Sequence, residues 1–219
     1  MKKDTSDNKL SDVKLSYLKN FLHGQSILDV GSGQCFYSQW LHQQDPNLNI
    51  TAVDYIDIDP KPSNIGYLKL NLESIFPFQD ESFDTILIFD VIEHIENETQ
   101  LINELNRVCK NNGIIIGSVP HDNDKFLPYY NLTFYHRSDL THKRYYLPET
   151  IYSKFCATGF DIKTIDLHGG INPQVIAEFF PKSIQFLVKK IIGIFRRIGL
   201  VNVKVLKSDL FFVAKKGAK

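Results

Sequence analysis

Four side chains with chemistry to offer stand at the ends of short apolar runs: Asp29 after SIL, Asp54 after NITAV, Asn71 after IGYLKL and Asp90 after TILIF. Asp29 leads into two closely spaced glycines, Gly31 and Gly33, and then into FYSQWLH, residues 36–42, which can form a helix. A strand, a glycine turn and a helix leave backbone N–H groups unpaired and aimed at whatever sits above the turn. Two large ligand classes use such a turn, dinucleotides and S-adenosylmethionine. The dinucleotide fingerprint G-x-G-x-x-G wants a third glycine at the helix start, whereas Gln34, Cys35 and Phe36 follow here. Asp54 comes about twenty residues beyond the turn, where a carboxylate accepts both hydroxyls of an adenosine ribose. It speaks for adenosine without choosing between the cofactors.

Asp90 opens the stretch DVIEHI. A helix beginning there brings Glu93 and His94 to the carboxyl edge of a sheet. Sequence neighbours do not share a helix face, so one of the two is expected to point into a pocket.

The elements that must position these groups follow from periodicity. Residues 9–23 carry Leu10, Val13, Tyr17, Leu18, Phe21 and Leu22 at steps of three and four, an amphipathic helix with Leu15 off its face. SILDV, NITAVDY, IGYLKLNL, FDTILIF and GIIIGSV read as strands, and NETQLINELNRVCKNNG as a helix that stops at Gly113. A helix over 148–158 and the strands DIKTIDL and SDLFFVAKK complete the pattern. Alternation of this kind predicts an α/β fold, a parallel sheet covered on both faces, with ligands beyond the carboxyl ends of its strands. The four polar residues fall at or just past those ends.

Residues 121–147 break the rhythm. Tyr129, Tyr130, Phe134, Tyr135, Tyr145 and Tyr146 there suit a lid that closes over an apolar acceptor. The expected organisation is one domain over 1–219: an N-terminal helix at 9–23, a cofactor-binding core at 25–120, the aromatic lid at 121–147 and a basic insertion at 171–207.

At 219 residues, with 43% hydrophobic and 23% charged, the composition is that of a globular protein with one core. No run of about eighteen apolar residues is present to span a bilayer. MKKDTSDNKLSD has no apolar stretch of the secretory type, and Cys35, Cys109 and Cys156 lack metal-ligand spacing and suit reduced structural thiols. A cytoplasmic location is expected.

A net charge of zero conceals an asymmetry. Residues 181–219 hold ten Lys and Arg against Asp209 alone. Within them, Ile184, Leu187, Val188, Ile191, Ile192, Phe195 and Ile198 share one helical face, opposite Lys182, Lys189, Lys190, Arg196 and Arg197, with Phe186 the main exception. Burying seven such side chains is worth roughly 10–20 kcal/mol gross, so the stripe belongs on the protein's own sheet, on a partner, or in a membrane interface. Anionic headgroups add on the order of 1 kcal/mol per nearby cation, which favours an anionic membrane surface for residues 182–198 and a peripheral place at the inner membrane face. Nucleic acid ranks last, because no RNA-binding module is apparent and the sheet portion is acidic.

ILDVGSGQCFYS, AVDY, PFQDESFDTILIFDVIEHI, LINELNRVCKNNGIIIGSVP and LPETIYSKFCATGFDI resemble, in that order, the motifs of class I S-adenosylmethionine-dependent methyltransferases. The resemblance runs over residues 25–165 and the final strand. It implies a Rossmann-like, doubly wound, mostly parallel seven-stranded sheet whose last strand is antiparallel, and S-adenosyl-L-methionine as cofactor. It also implies Asp29, Gly31 and Gly33 at the methionine portion, Asp54 at the ribose, Asn71 and Leu72 at the adenine, and Asp90 near the sulfonium. Two positions depart from the family. Cys35 replaces a common third glycine and is expected to crowd the turn; Asn71 replaces a frequent aspartate and keeps a hydrogen-bonding amide.

The cofactor's methyl carbon is electrophilic already, so holding an acceptor atom in line about 3 Å away supplies about 7–11 kcal/mol of the barrier. A base is needed only for an acceptor that is still protonated, such as a hydroxyl, and His suits that task. His94 is the first candidate and His142 the second, ahead of His121 and His136. DVIEHI also resembles a stretch of ubiquinone-pathway O-methyltransferases in which acidic residues and a His hold a divalent metal. Asp90, Glu93 and His94 match in kind, but adjacency on a helix argues against it, and no metal is expected. The expected reaction is methyl transfer to a hydroxyl of a small-molecule or membrane-associated acceptor: a lipid, an isoprenoid or a glycan. The rivals are a nicotinamide-dependent oxidoreductase and a non-catalytic S-adenosylmethionine-binding protein.

Overall fold

The structure, a computed structural model, describes residues 10–122, 135–169, 177, 180–198 and 207–217. Helix α1, Asp12–Phe21, starts where the Ser11 hydroxyl accepts the Lys14 N–H, and it buries Tyr17 and Leu18. Then come β1 (Ser26–Val30), α2 (Phe36–Gln44), β2 (Asn49–Asp54), β3 (Gly66–Lys69) and β4 (Phe83–Phe89). Helix α3, Glu98–Val108, is capped by the Asn97 side chain and buries Leu101, Ile102, Leu105 and Val108. It is followed by β5 (Cys109–Pro120), α4 (Pro148–Ala157), β6 (Phe160–His168), α5 (Lys182–Arg197) and β7 (Asp209–Lys216).

The seven strands form one sheet in the order β3-β2-β1-β4-β5-β7-β6. All neighbours are parallel except β7, which runs antiparallel to both β5 and β6. This is the arrangement that the sequence motifs imply. Alternate residues feed opposite faces: Leu28 and Ile86 join the cluster containing Leu101, Phe155 and Phe212, while Ile27 and Leu87 join the one with Leu18, Leu41 and Phe211. Burial on both faces explains why the strands read as nearly continuous apolar runs. The chain builds outward from β1 through β2 and β3, then returns to β4 on the other side. That reversal opens a crevice above the carboxyl ends of β1 and β4.

Three expectations need correction. Helix α3 ends at Val108, and the chain turns directly into β5, with Cys109 paired to Phe83 across a register shift. Gly113 is therefore no helix stop. A Cβ there would lie 2.8 Å from Cys109 Sγ and 3.0 Å from the Asp84 carbonyl, so the strand approach requires glycine. Second, DVIEHI forms a single 3-10 turn over Ile92–His94 rather than a helix. Third, Tyr146 is core and not lid: it is 1% exposed, and its hydroxyl donates to Glu98 Oε2 at 2.6 Å. Of the other lid candidates, Tyr129, Tyr130, Phe134 and the side chain of Tyr135 lie outside the described residues. Tyr145 is half-buried under the Arg137 guanidinium, 3.8 Å from its ring centroid.

Candidate active site

The glycine turn after β1 is fixed by backbone geometry. Gly31 has φ +69°, its N–H donates to the Val53 carbonyl at 2.8 Å, and a Cβ would sit 2.2 Å from Val91 Cγ2. Gly33 has φ +52° and open space where a Cβ would stand, so only its backbone conformation asks for glycine. Its N–H donates to Asp54 Oδ2 at 2.8 Å, and Asp54 Oδ1 accepts the Ile56 N–H at 3.0 Å. Cys35 does not crowd this turn. It takes the left-handed conformation itself, φ +59°, and its side chain is buried in the core with Leu41 and Ile58. Asp29 is buried and accepts a 2.6 Å hydrogen bond from Ser38 Oγ. Burial pushes its pKa up to about 6, with the Ser38 bond pulling the other way.

A cavity of about 550 Å³ lies over the turn, within the size range of small-molecule sites. Six of the residues singled out from the sequence line it: Gly31, Asp54, Asn71, Leu72, Asp90 and His94. Asp29 and Gly33 do not line it; they hold the turn from behind. His142 lines a neighbouring cavity of about 210 Å³, together with Glu93, His136, Asp139 and Asp209. Asp90 belongs to both cavities and so forms the wall between them.

Asp90 has φ +56°, a conformation that costs a non-glycine residue about 1–3 kcal/mol and clusters at functional sites. Ser118 Oγ donates to its Oδ1 at 2.6 Å and Lys14 Nζ to its Oδ2 at 2.6 Å. Burial opposes the charge on Lys14, but Asp90 outweighs it and holds the ammonium pKa above its ordinary value.

The two favoured histidines meet edge to face, ring centroids 4.7 Å apart. Thr141 Oγ1 donates its only proton to Asp139 Oδ1 at 2.6 Å, and His94 Nδ1 lies 2.9 Å from Thr141 Oγ1. His94 must therefore donate at Nδ1, which leaves the Nε2 lone pair as its basic position. Burial, then the neighbouring His94, lower the pKa of His142 against the pull of Asp139, so that its ring is neutral at physiological pH. His121 is buried with Nδ1 2.9 Å from the Lys207 carbonyl, a structural contact. His136 stacks on Tyr145 at 5.3 Å.

Glu93 is fully buried, and burial raises its pKa well above the ordinary carboxyl value. Among the described residues, neither of its carboxyl oxygens, nor His142 Nδ1, has a hydrogen-bond partner. Ligand atoms of Glu93, His94 and His142 all lie within 4.8 Å of one another. The rule that neighbours face apart fails here because the turn is a single one. The Lys143 N–H donates to the Glu93 carbonyl at 2.9 Å, which draws the 139–143 segment across the turn and brings His142 against both residues.

Lys14, Ser118, Asp139, Thr141 and Asp209 escape the sequence reading. Lys14 and Asp90 are 76 positions apart, and no local pattern ties them. Asp139 and Thr141 sit in the irregular segment, whose polar residues were the available signal.

The Methyltransferase domain family matches residues 28–117, the stretch that carries the glycine turn, Asp54, Asn71 and Asp90. A ubiquinone biosynthesis O-methyltransferase of Rickettsia typhi is 27% identical over 171 residues, 71% of this chain and 67% of its own. A SAM dependent methyltransferase from Archaeoglobus fulgidus has a similar solved structure, with a TM-score of 0.66 at 19% identity over 93% of both chains. So has the phosphoethanolamine N-methyltransferase 2 of Haemonchus contortus in complex with S-adenosyl-L-methionine, with a TM-score of 0.62 at 18% identity over 94% of this chain and 52% of that one. The solved structures establish the class I methyltransferase fold. The family match across the glycine turn, the O-methyltransferase relatives and this fold together support a class I S-adenosylmethionine-dependent methyltransferase. The chain is an enzyme, its cofactor is S-adenosyl-L-methionine, and the nicotinamide-dependent reading falls away. No helix among the described residues is long and apolar enough to cross a membrane.

Proposed function

We propose that the protein methylates a hydroxyl oxygen of a small or membrane-associated acceptor that reaches from the smaller cavity past Asp90 to His94 at the edge of the larger one, with His94 as the base. The observation that carries this reading is the chain Asp139–Thr141–His94, which holds the Nδ1 proton of His94 toward Thr141 and leaves Nε2 as the nitrogen to take a proton, in the cavity that Asp90 also lines. S-adenosyl-L-methionine, bound in the larger cavity, supplies the electrophilic methyl group. Asp54 accepts the ribose hydroxyls, Asn71 and Leu72 meet the adenine, and the turn held by Asp29, Gly31 and Gly33 receives the methionine portion. The Asp90 carboxylate favours positive charge at the sulfonium. His94 Nε2 takes the hydroxyl proton, and the neutral His142 beside it leaves that nitrogen basic. Asp90, Glu93, Asp139 and Asp209 bring carboxyl groups to a smaller cavity whose accessible wall is otherwise mostly apolar, which suits an acceptor that carries its hydroxyl on an apolar body. The O-methyltransferase names of the relatives support oxygen as the acceptor atom.

A second reading rests on the orphaned Glu93 oxygens and His142 Nδ1. With His94 they offer a mixed nitrogen and oxygen donor set that fits a divalent ion. Such an ion would supply Lewis-acid activation of the acceptor. In that reading Glu93, which is costly to ionise alone, is the residue that would lose its proton when the ion binds.

The test is an acceptor screen read by mass spectrometry, run before and after dialysis against a chelator, with cofactor affinity measured by calorimetric titration in parallel. Transfer to hydroxyl acceptors that His94→Ala abolishes, with affinity for S-adenosyl-L-methionine retained, is the expected result. Transfer confined to amines and untouched by His94→Ala would sink the proposal. Loss on chelation and recovery with added cation would favour the second reading.

A further inference from the structure

Helix α5 leaves uncovered the kind of surface that the rest of the molecule buries. At 100° per residue, Ile184, Leu187, Val188, Ile191, Ile192, Ile194 and Phe195 fall within an arc of roughly 160°. Of these, Ile184, Leu187, Ile191, Ile194 and Phe195 are between 39% and 55% exposed, and Ile198 just beyond the helix is 60% exposed. Val188 and Ile192 on one flank are half-buried. Most of the stripe is thus left open to solvent, which speaks against packing on the protein's own sheet as its main use. The opposite arc carries Lys182, Lys189, Lys190 and Arg197, and the helix has no acidic residue.

We infer that α5 docks in the interface of an anionic lipid bilayer, with the stripe in the acyl boundary and the cations among the headgroups. Charge selects this occupant. A second copy would set two acid-free cationic helices against each other, and a nucleic acid would neutralise the cations while leaving the stripe wet. An anionic bilayer satisfies both faces at once. Topology says why such docking is useful. The insertion leaves the sheet at His168 and returns at Asp209, which pair with each other, and Asp209 also pairs with Pro120. Asp209 and Pro120 both line the smaller cavity. The segment that meets the bilayer is therefore rooted beside that cavity, whatever acceptor the cavity takes.

The experiment is co-sedimentation of the full chain with vesicles of phosphatidylcholine alone and of phosphatidylcholine mixed with phosphatidylglycerol. Binding to the anionic vesicles only, weakened by salt, is expected. The double substitution Lys189→Glu, Lys190→Glu should weaken it at least about tenfold, and Leu187→Asp with Ile191→Asp should do the same. Both variants should bind S-adenosyl-L-methionine as the wild type does, which separates lost docking from lost folding. Equal binding to both vesicles, no binding to either, or indifference to charge reversal overturns the inference. So does a stable dimer in sedimentation velocity that the aspartate variants dissolve, since the stripe would then be covered by a second copy.

Discussion

Gly31, Gly33 and Asp54 build one half of the carboxyl edge from a short run of chain and backbone hydrogen bonds, whereas the other half is assembled from side chains far apart in sequence. In the cofactor half, Gly31 N–H meets Val53 and Gly33 N–H meets Asp54. In the acceptor half, Lys14 reaches Asp90 across 76 positions and Thr141 reaches His94 across 47. The first half is a product of strand ends and glycine conformations, so it is rigid and its substitutions act through shape. The second depends on protonation and on contacts between elements, so its substitutions act through chemistry.

The sharpest separation of the halves comes from His94→Ala. Removing a general base costs roughly 10²–10⁴-fold in kcat, and the titrated affinity for S-adenosyl-L-methionine should stay within experimental scatter. A matching loss of affinity would show that the two halves are one unit. The mirror experiment is Asp54→Ala. Lost hydrogen bonds to a charged group, each worth about 1.5–3 kcal/mol, predict an affinity weaker by about 10²-fold, with kcat at saturating cofactor largely preserved.

Within the cofactor half, Gly31 and Gly33 should part company. In Gly31→Ala the added methyl meets Val91 Cγ2 at 2.2 Å in a left-handed backbone, a cost of about 2–5 kcal/mol in thermal or denaturant unfolding. Gly33→Ala meets no neighbour and should cost only the conformational part, about 1–2 kcal/mol. Equal losses would mean that Val91 yields and that the turn is softer than its hydrogen bonds suggest.

A further separation is a pH dependence. Asp29 has a folded pKa of about 6 against 3.8, so the folded state binds more protons than the unfolded state between those values. Stability from this group is therefore present below about pH 4 and is lost as pH rises towards 6, by about 3 kcal/mol at most. Asp29→Asn should erase that slope, and the difference in unfolding free energy between variant and wild type should grow over the same window and then level off. A flat difference would mean that Ser38 and the turn stabilise the charged form more than burial opposes it. In the acceptor half the corresponding sign is carried by His142. Its lowered pKa keeps it neutral at physiological pH, so the charge it gains beside His94 contributes only on the acid side of the kcat/KM profile, and His142→Asn should remove that contribution.

The same contrast decides what a sequence can disclose. Asp29, Asp54, Asn71 and Asp90 are legible because each closes an apolar run, and the order of runs fixes which edge of the sheet they share. Glycine at 31 is legible for the same local reason. The start of β5 is not: CKNNG is polar and lacks β-branched residues, and it is the pairing of Cys109 with Phe83 on β4 that makes it a strand. Nor is the meeting of Glu93, His94 and His142, because it needs the Lys143 N–H to find the Glu93 carbonyl. Cys35 shows a third kind of failure. Its left-handed backbone looks like a defect in a glycine turn, but its burial against Leu41 and Ile58 compensates for a conformation that propensity alone disfavours.

The position of β7 has a consequence for how the chain is made. It lies between β5 and β6 but follows both in synthesis, with the residues between His168 and Asp209 still to be added after β6 is complete. At roughly 5–20 residues per second that interval is about 2–8 s, long compared with the microseconds in which strands and hairpins form. Throughout it, the nascent polypeptide carries an apolar strand edge at Ile114–Val119 with no cognate to pair with, the situation that invites mispairing between neighbouring ribosomes on one message. Translational pausing in the segment between β6 and β7 should therefore raise the aggregated fraction, and rapid decoding there should lower it.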